Sequence, residues 1–136
     1  MIESGEGPIT QLAEVVLWVR NPELALGFYR DLLGLQVMSP PELATIFLRV
    51  RTGAVPHMIV LVPHPDPDGQ FPSSKKDRVL HHLAFGVDGK RYEELCHSLR
   101  QHGLEVRSGI HPVLKGVRTA YVDDPDGNEV ELIAPD

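Results

Sequence analysis

The sequence predicts an α+β fold in which one strand–helix–strand–strand–strand unit occurs twice within a single domain of 136 residues. Apolar runs begin at Glu14 and again at His82, an offset of 68 residues. A helix-like segment follows each run and ends in a Gly-Leu-X-Val tetrapeptide, at residues 34–37 and 103–106. Each half then closes with a further apolar strand. Polar residues at matched positions of a duplicated fold indicate a site on its pseudo-symmetry axis.

Helix signals separate the first and second strands of each unit. Asn21 is a suitable N-cap, and Pro22 suits the first helical position because the N–H that proline lacks is unpaired there in any residue. Gly34 supplies the left-handed residue that ends the first helix, and Gly103 does the same for a second helix over residues 90–102. The first helix is predicted to bury a broad apolar stripe, formed by Leu24, Ala25, Phe28, Tyr29, Leu32 and Leu33.

A proline-rich segment divides the two halves. Residues 63–77 contain four prolines and several small polar residues, which favours an irregular surface linker. The predicted first unit spans about residues 9–63, the linker residues 64–78 and the second unit residues 79–134. The linker is either a simple connector or a lid over a substrate.

The last strand is predicted to follow a tight turn. Residues 124–128, Asp-Pro-Asp-Gly-Asn, combine a fixed φ at proline, a φ > 0 at glycine and side chains that cap the backbone. Because side chains alternate along a strand, Glu129 and Glu131 are expected on one face, and Val130 and Leu132 on the other. By spacing alone, Glu131 is either a solvated carboxylate or part of a site.

Composition narrows the classes of partner. A net charge of −6 argues against nucleic acid, and no apolar stretch is long enough to span a bilayer. Residues 1–6 are acidic and polar, unlike a secretory signal peptide. A single cysteine, Cys96, excludes an internal disulfide, and a cytoplasmic location is expected. Cys96 is interpreted as a packing residue of the second helix.

Two motifs resemble the vicinal oxygen chelate superfamily. They are residues 28–35, Phe-Tyr-Arg-Asp-Leu-Leu-Gly-Leu, and residues 121–132, Tyr-Val-Asp-Asp-Pro-Asp-Gly-Asn-Glu-Val-Glu-Leu. The superfamily includes glyoxalase I, extradiol dioxygenases, fosfomycin-modifying enzymes and bleomycin-binding proteins. The resemblance covers about residues 9–134 and implies two βαβββ modules that curl into an open, barrel-like cleft. It also implies one divalent metal ion on the inner face.

The resemblance implies that Glu14, His82 and Glu131 are the metal ligands. Glu14 departs from the family pattern, in which histidine is usual, so the alternative is an exposed Glu14 and a decayed site. A set of one imidazole and two carboxylates favours Fe²⁺ or Mn²⁺, although Zn²⁺ and Ni²⁺ also accept such ligands. Alternation predicts that the rings of His81 and His82 lie on opposite faces, and His82 matches the family motif.

Two further residues resemble those of extradiol enzymes. His57 matches an active-site histidine that acts as an acid or base, and Tyr121 matches a tyrosine that hydrogen-bonds a substrate oxygen. Otherwise His57 caps a strand and Tyr121 packs in the core. Val60 stands where glyoxalase I has a fourth metal ligand, and valine cannot bind a metal.

The expected function is therefore that of an extradiol-type dioxygenase acting on a small substrate with vicinal oxygens. The alternatives are a glyoxalase-like lyase or isomerase and a metal-free, ligand-sequestering protein. Trp18 is the obvious groove residue for the sequestering protein, although its position in the strand equally allows a place in the core. The resemblance also implies a homodimer. The two modules pair either within one chain or across two chains.

Overall fold

Residues 7–69 and 71–135 are described by the computed structural model, and their strands form two four-stranded sheets. The first sheet has the order β1-β4-β3-β2, with strands β1 (Glu14–Val19), β2 (Gln36–Val37), β3 (Ile46–Arg51) and β4 (His57–Pro63). The second sheet has the order β5-β8-β7-β6, with strands β5 (Leu83–Gly86), β6 (Arg107–Ile110), β7 (Val117–Asp123) and β8 (Glu129–Pro135).

The two sheets have the same topology, which confirms the predicted α+β fold of two βαβββ modules. In each sheet the first strand pairs in parallel with the last, and the remaining pairs are antiparallel. Val60 lies beside Val16, and Glu131 lies beside Ala84. Val16 and Ala84 are separated by the same 68 residues as Glu14 and His82. Val60 and Glu131 therefore occupy equivalent positions in the two sheets. Neither sheet closes into a barrel over the residues described.

One helical segment of each module packs against its sheet. Helix α1 (Pro22–Leu26) begins at Asn21, whose side chain accepts hydrogen bonds from two backbone N–H groups, and continues as a π-helix over Gly27–Leu32. Leu24 is 60% exposed, so the predicted stripe is wrong at this position. Leu24 lies in the first helical turn, whereas the later stripe residues Phe28 and Tyr29 are buried as predicted. Helix α2 spans Tyr92–Gln101. Among the described residues, no helix is both long and apolar enough to cross a membrane.

A shared core and a polar latch join the two modules. Buried side chains of both modules form one cluster, which includes Leu17, Val19, Leu61, Leu99, Val130 and Leu132. The latch consists of two hydrogen bonds to the turn before β8. The Tyr29 hydroxyl donates to Asp124 Oδ2 over 2.6 Å, and the Arg20 backbone N–H donates to Asp126 Oδ1 over 3.0 Å. The turn predicted from the Asp-Pro-Asp-Gly-Asn sequence thus also connects the modules.

Burial and the nearby charge change the acidity of groups in the latch. Burial, followed by the negative charge of Asp124, raises the pKa of Tyr29 well above its ordinary value, so its hydroxyl stays a hydrogen-bond donor. Burial is also the main reason why the pKa of Asp126 is raised. Asp124 itself accepts three further hydrogen bonds, from the Asp126 N–H and from the backbone and side chain of Asn128.

Candidate metal-binding and catalytic site

The face of the second sheet opposite Val130 and Leu132 carries a cluster of polar side chains. Val130 is completely buried and Leu132 is 1% exposed in the shared core, so alternation places Glu129 and Glu131 on the opposite face of β8, as predicted. Tyr121 of β7 lies directly beside Glu131 in the antiparallel register. Side chains directly opposite each other in such a pair are within reach of contact.

His82, Glu131 and Tyr121 contact one another. The Nε2 atom of His82 lies 3.0 Å from Oε1 of Glu131, and the Tyr121 hydroxyl donates to Oε2 of Glu131 over 3.1 Å. The rings of His82 and Tyr121 are 6.1 Å apart between centroids. Three of the predicted site residues therefore form one cluster, with Glu131 at its centre.

The surroundings of Glu131 fit a divalent metal ion. Its side chain is only 5% exposed. Within the described part of the chain, its hydrogen-bonding and ion-pair partners are His82 and Tyr121, and neither is permanently charged. A buried carboxylate that lacks a positive partner costs free energy. A cation held between Glu131 and His82 would remove that cost, and both groups are common ligands of such ions.

His81 lies beside His82, although alternation predicted the opposite. Their Nδ1 atoms are 2.8 Å apart, and the ring centroids are separated by 5.1 Å. The prediction failed because β5 begins at Leu83, so the two histidines precede the strand. Successive side chains alternate between two faces only within a pleated strand, so two neighbouring residues outside a strand can point to the same side.

A second carboxylate, Glu129, lies near the histidines but is already paired. Glu129 forms an ion pair with Lys75 through Oε1 and accepts a 3.0 Å hydrogen bond from Arg107 through Oε2. Burial would raise the pKa of Glu129, but the hydrogen bonds from Lys75 and Arg107 outweigh burial and lower it. Among the described residues, His81, His82 and Glu129 form the group whose potential ligand atoms all lie within 4.8 Å of one another.

Glu14 is not brought into this cluster. It lies at the start of β1, on the exposed face that also carries Val16 and Trp18. Val16 is 51% exposed and Trp18 is 53% exposed, so the alternative of a core position for Trp18 is wrong. No described residue forms a hydrogen bond or ion pair with the Glu14 carboxylate. Its place as a metal ligand stays a prediction.

In the described part of the chain, His57 makes no hydrogen bond or ring contact with the cluster either. It is the first residue of β4, and alternation places it on the side of Ile59 and Leu61, which belong to the core. Val60 points to the other side and is 2% exposed. Tyr121 does lie in the cluster, and burial, followed by its hydrogen bond to Glu131, raises its pKa. The acid–base role of His57 stays a prediction.

Sequence reasoning missed three residues around the cluster: His81, Lys75 and Arg107. Arg107 is the register partner of Tyr121, so a correct assignment of β6 would have placed it on the same face. Arg107 also forms a 3.0 Å ion pair with Asp123. Lys75 belongs to a 3₁₀ turn, Lys75–Asp77, in the linker, where no periodic pattern indicates which way a side chain points.

Known proteins of two activities are similar to the chain. It is 25% identical over 126 residues to the catechol-2,3-dioxygenase of Bacillus subtilis (strain 168), a match that covers 92% of this chain and 41% of that protein. It is 42% identical over 53 residues to the lactoylglutathione lyase of Escherichia coli O157:H7, which covers 38% of each protein. The chain thus spans about two fifths of the length of these curated relatives.

Solved structures share the fold. A glyoxalase/dioxygenase from Nostoc punctiforme has a TM-score of 0.74 at 19% identity, covering 100% of this chain and 97% of that one. A fosfomycin resistance protein, FosX, from Listeria monocytogenes has a TM-score of 0.68 at 19% identity, with 94% and 95% covered. The family model described as Glyoxalase/Bleomycin resistance protein/Dioxygenase superfamily matches residues 11–132. The chain therefore belongs to the glyoxalase, bleomycin resistance protein and dioxygenase superfamily.

Proposed function

We propose that the chain is a metal-dependent enzyme whose single divalent ion is held by His82, Glu131 and Glu14. The contact between His82 and Glu131, beside the Tyr121 hydroxyl, is the observation that carries this proposal. Enzymes of the superfamily bind a divalent metal and act on small molecules. The oxygen-rich ligand set favours Fe²⁺ or Mn²⁺ over Zn²⁺ or Ni²⁺.

An extradiol-type dioxygenase, acting on a small substrate with vicinal oxygens, is the reaction that we favour. The similarity to a catechol-2,3-dioxygenase extends over 92% of the chain, and Val60 stands where a fourth protein ligand would be needed for glyoxalase chemistry. When bound, the ion would act as a Lewis acid toward the substrate oxygens. The raised pKa of Tyr121, caused first by burial, keeps its phenol protonated at neutral pH. Tyr121 is therefore suited to donate a hydrogen bond to a substrate oxygen when its hydroxyl turns to the substrate from Glu131.

Replacing Tyr121 by phenylalanine is expected to lower kcat on the order of 100-fold, because a hydrogen-bond donor aimed at developing negative charge contributes about that much. Metal content should stay at the wild-type level, since the phenol is not a ligand. Steady-state oxygen uptake and elemental analysis of the same samples measure both quantities. Tyr92→Phe removes a hydroxyl from α2 and is the matched control. A wild-type kcat in Tyr121→Phe would contradict the assigned role.

We further propose a homodimer in which Glu14 enters the metal site of the partner chain. In its own chain Glu14 lies outside the His82–Glu131 cluster. Its face of β1 leaves Val16 and Trp18 half-exposed, and apolar side chains of this size favour burial against another surface. A two-fold dimer would cover both copies of this face at once.

Mixed dimers of two inactive variants test the shared site. Glu14→Ala and His82→Ala are each expected to bind little metal. If Glu14 acts across the interface, a heterodimer has one site with both mutations and one intact site. Random mixing after co-refolding should then restore about one quarter of wild-type metal binding, because half of the dimers are mixed and half of their sites are intact. If mixing restores no metal binding, Glu14 and His82 act within one chain.

A lyase of the lactoylglutathione type is the second candidate, favoured by the 42% identity over 53 residues. Elemental analysis of protein purified without chelators, beside His82→Ala, separates the candidates. One equivalent of iron or manganese with oxygen uptake on catechols would support the dioxygenase. Zinc or nickel with turnover of hemithioacetals would support the lyase. Wild-type protein that takes up no metal would leave a ligand-sequestering function.

A further inference from the structure

We propose that His81 is a positioning residue for the metal site: its Nδ1 atom accepts a hydrogen bond from Nδ1–H of His82, which leaves Nε2 of His82 free to bind the ion. This inference rests on the proposed metal site of His82 and Glu131. It assigns a role to a histidine that the family motif does not include, and it identifies the ring nitrogen of His82 that binds the metal.

Both ring nitrogens of His82 face a partner. Nε2 lies 3.0 Å from a carboxylate oxygen of Glu131, and Nδ1 lies 2.8 Å from Nδ1 of His81. His82 is about one-third exposed, whereas Glu131 is buried. The imidazole of His82 therefore has a partner at each ring nitrogen.

Hydrogen bonding limits where the proton of His82 can lie. A neutral imidazole carries one N–H. With the proton on Nε2, His82 donates to Glu131, and that nitrogen cannot bind a metal. With the proton on Nδ1, His82 donates to His81, and the lone pair of Nε2 faces the carboxylate of Glu131. Two electron-rich atoms 3.0 Å apart repel each other unless a cation lies between them.

Histidine ligands of metals usually donate their second ring N–H to a fixed acceptor, which sets the tautomer and the ring orientation. In this chain the acceptor is the exposed imidazole of His81. The Nε2 atom of His81 can carry the ring proton, which leaves the Nδ1 atom of His81 as a hydrogen-bond acceptor. The backbone before β5 brings the two rings together, because His81 and His82 precede the first strand pairing at Leu83.

A metal site formed by His81, His82 and Glu129 is less well supported. His81, His82 and Glu129 are close enough to share an ion, but both oxygens of Glu129 are already bound, one by Lys75 and one by Arg107. Metal binding there would have to displace a cation from Glu129. Glu131 has no cationic side chain among its partners in the described part of the chain, so it is the better carboxylate ligand.

Metal titration of His81→Ala, His81→Asn and His97→Ala against a competing chromophoric chelator tests the inference. His81→Ala should bind zinc 10- to 100-fold more weakly than the wild type, on the order expected for a lost hydrogen bond to a ligand, yet still reach one equivalent at saturation. The amide oxygen of His81→Asn lies near the lost Nδ1 acceptor and should restore most of the affinity. His97 is exposed on α2 and serves as the control. Its replacement by alanine should leave the zinc affinity unchanged.

A second measurement reads the tautomer directly. In the zinc-loaded wild type, ¹H–¹⁵N NMR of the imidazole groups should show the proton of His82 on Nδ1, protected from exchange with solvent. In His81→Ala that protection should be lost. Circular dichroism of each variant confirms folding before either measurement.

Three results would overturn the inference. One is unchanged zinc affinity in His81→Ala, and another is a His82 proton on Nε2 in the zinc-loaded protein. A His81→Ala variant that takes up no zinc at any concentration would make His81 a ligand instead. Wild-type protein that binds no metal would contradict the proposed function itself. If the wild type binds zinc and His81→Ala binds it equally tightly, only the role of His81 is contradicted.

Discussion

Glutamine in place of Glu131 is expected to weaken metal binding by about 100-fold or more and to abolish turnover, because the amide loses the negative charge that binds the ion. The side chain keeps its size, so the packing of β8 is preserved. Isothermal titration with Mn²⁺ or Zn²⁺ and elemental analysis of the purified variant measure the loss.

Glu129→Gln is the matched control for this substitution. It lies two residues earlier on the same face of β8, and its carboxylate is occupied by Lys75 and Arg107. Metal content in this variant should stay near one equivalent. The reverse pattern, with metal lost in Glu129→Gln and retained in Glu131→Gln, would move the site to the histidine pair and contradict the assignment of Glu131.

Alanine in place of Asp124 is expected to lower the free energy of unfolding by about 2–4 kcal/mol, because a buried acceptor of four hydrogen bonds is lost. The Tyr29 hydroxyl then remains buried without its acceptor. The N–H groups of the turn lose their cap as well. Urea denaturation followed by circular dichroism gives the change, provided that the slope of the transition stays constant.

A double-mutant cycle isolates the contribution of the latch between modules. Tyr29→Phe alone should cost about 1–2 kcal/mol, since it removes one hydrogen bond to a buried carboxylate. Combined with Asp124→Ala, the phenylalanine should cost less, because the hydroxyl no longer has a partner to lose. Strict additivity of the two substitutions would show that the 2.6 Å contact contributes nothing to stability.

The duplicated α+β fold could be predicted because local signals repeat in both halves. Asn21 and Pro22 begin α1, and glycines with φ of +81° and +83° follow the helical segments at Gly34 and Gly103. These signals act within a few residues, so they need no knowledge of the tertiary structure. The exposure of Leu24 was missed because apolar spacing indicates which face of a helix is buried but not how far along the helix the core extends.

The faces of β8 were also predictable, whereas the histidine pair was not. Val130 and Glu131 obey alternation because they lie inside a paired strand. His81 and His82 precede the first pair of β5, where a periodic pattern has no physical basis. Strand boundaries depend on which backbone groups find partners elsewhere in the chain, and that is a tertiary property.

The sequence by itself determined the two modules and the turn before β8, because periodicity and turn chemistry are local. The candidates His82, Glu131 and Tyr121 came from the resemblance of its motifs to the superfamily. Only the tertiary structure decided which candidates meet. It brings Tyr121 to Glu131 through the antiparallel register, whereas within the described residues neither Glu14 nor His57 contacts them. Contacts between residues distant in the chain depend on strand pairing and on packing around the shared core, which no single segment encodes.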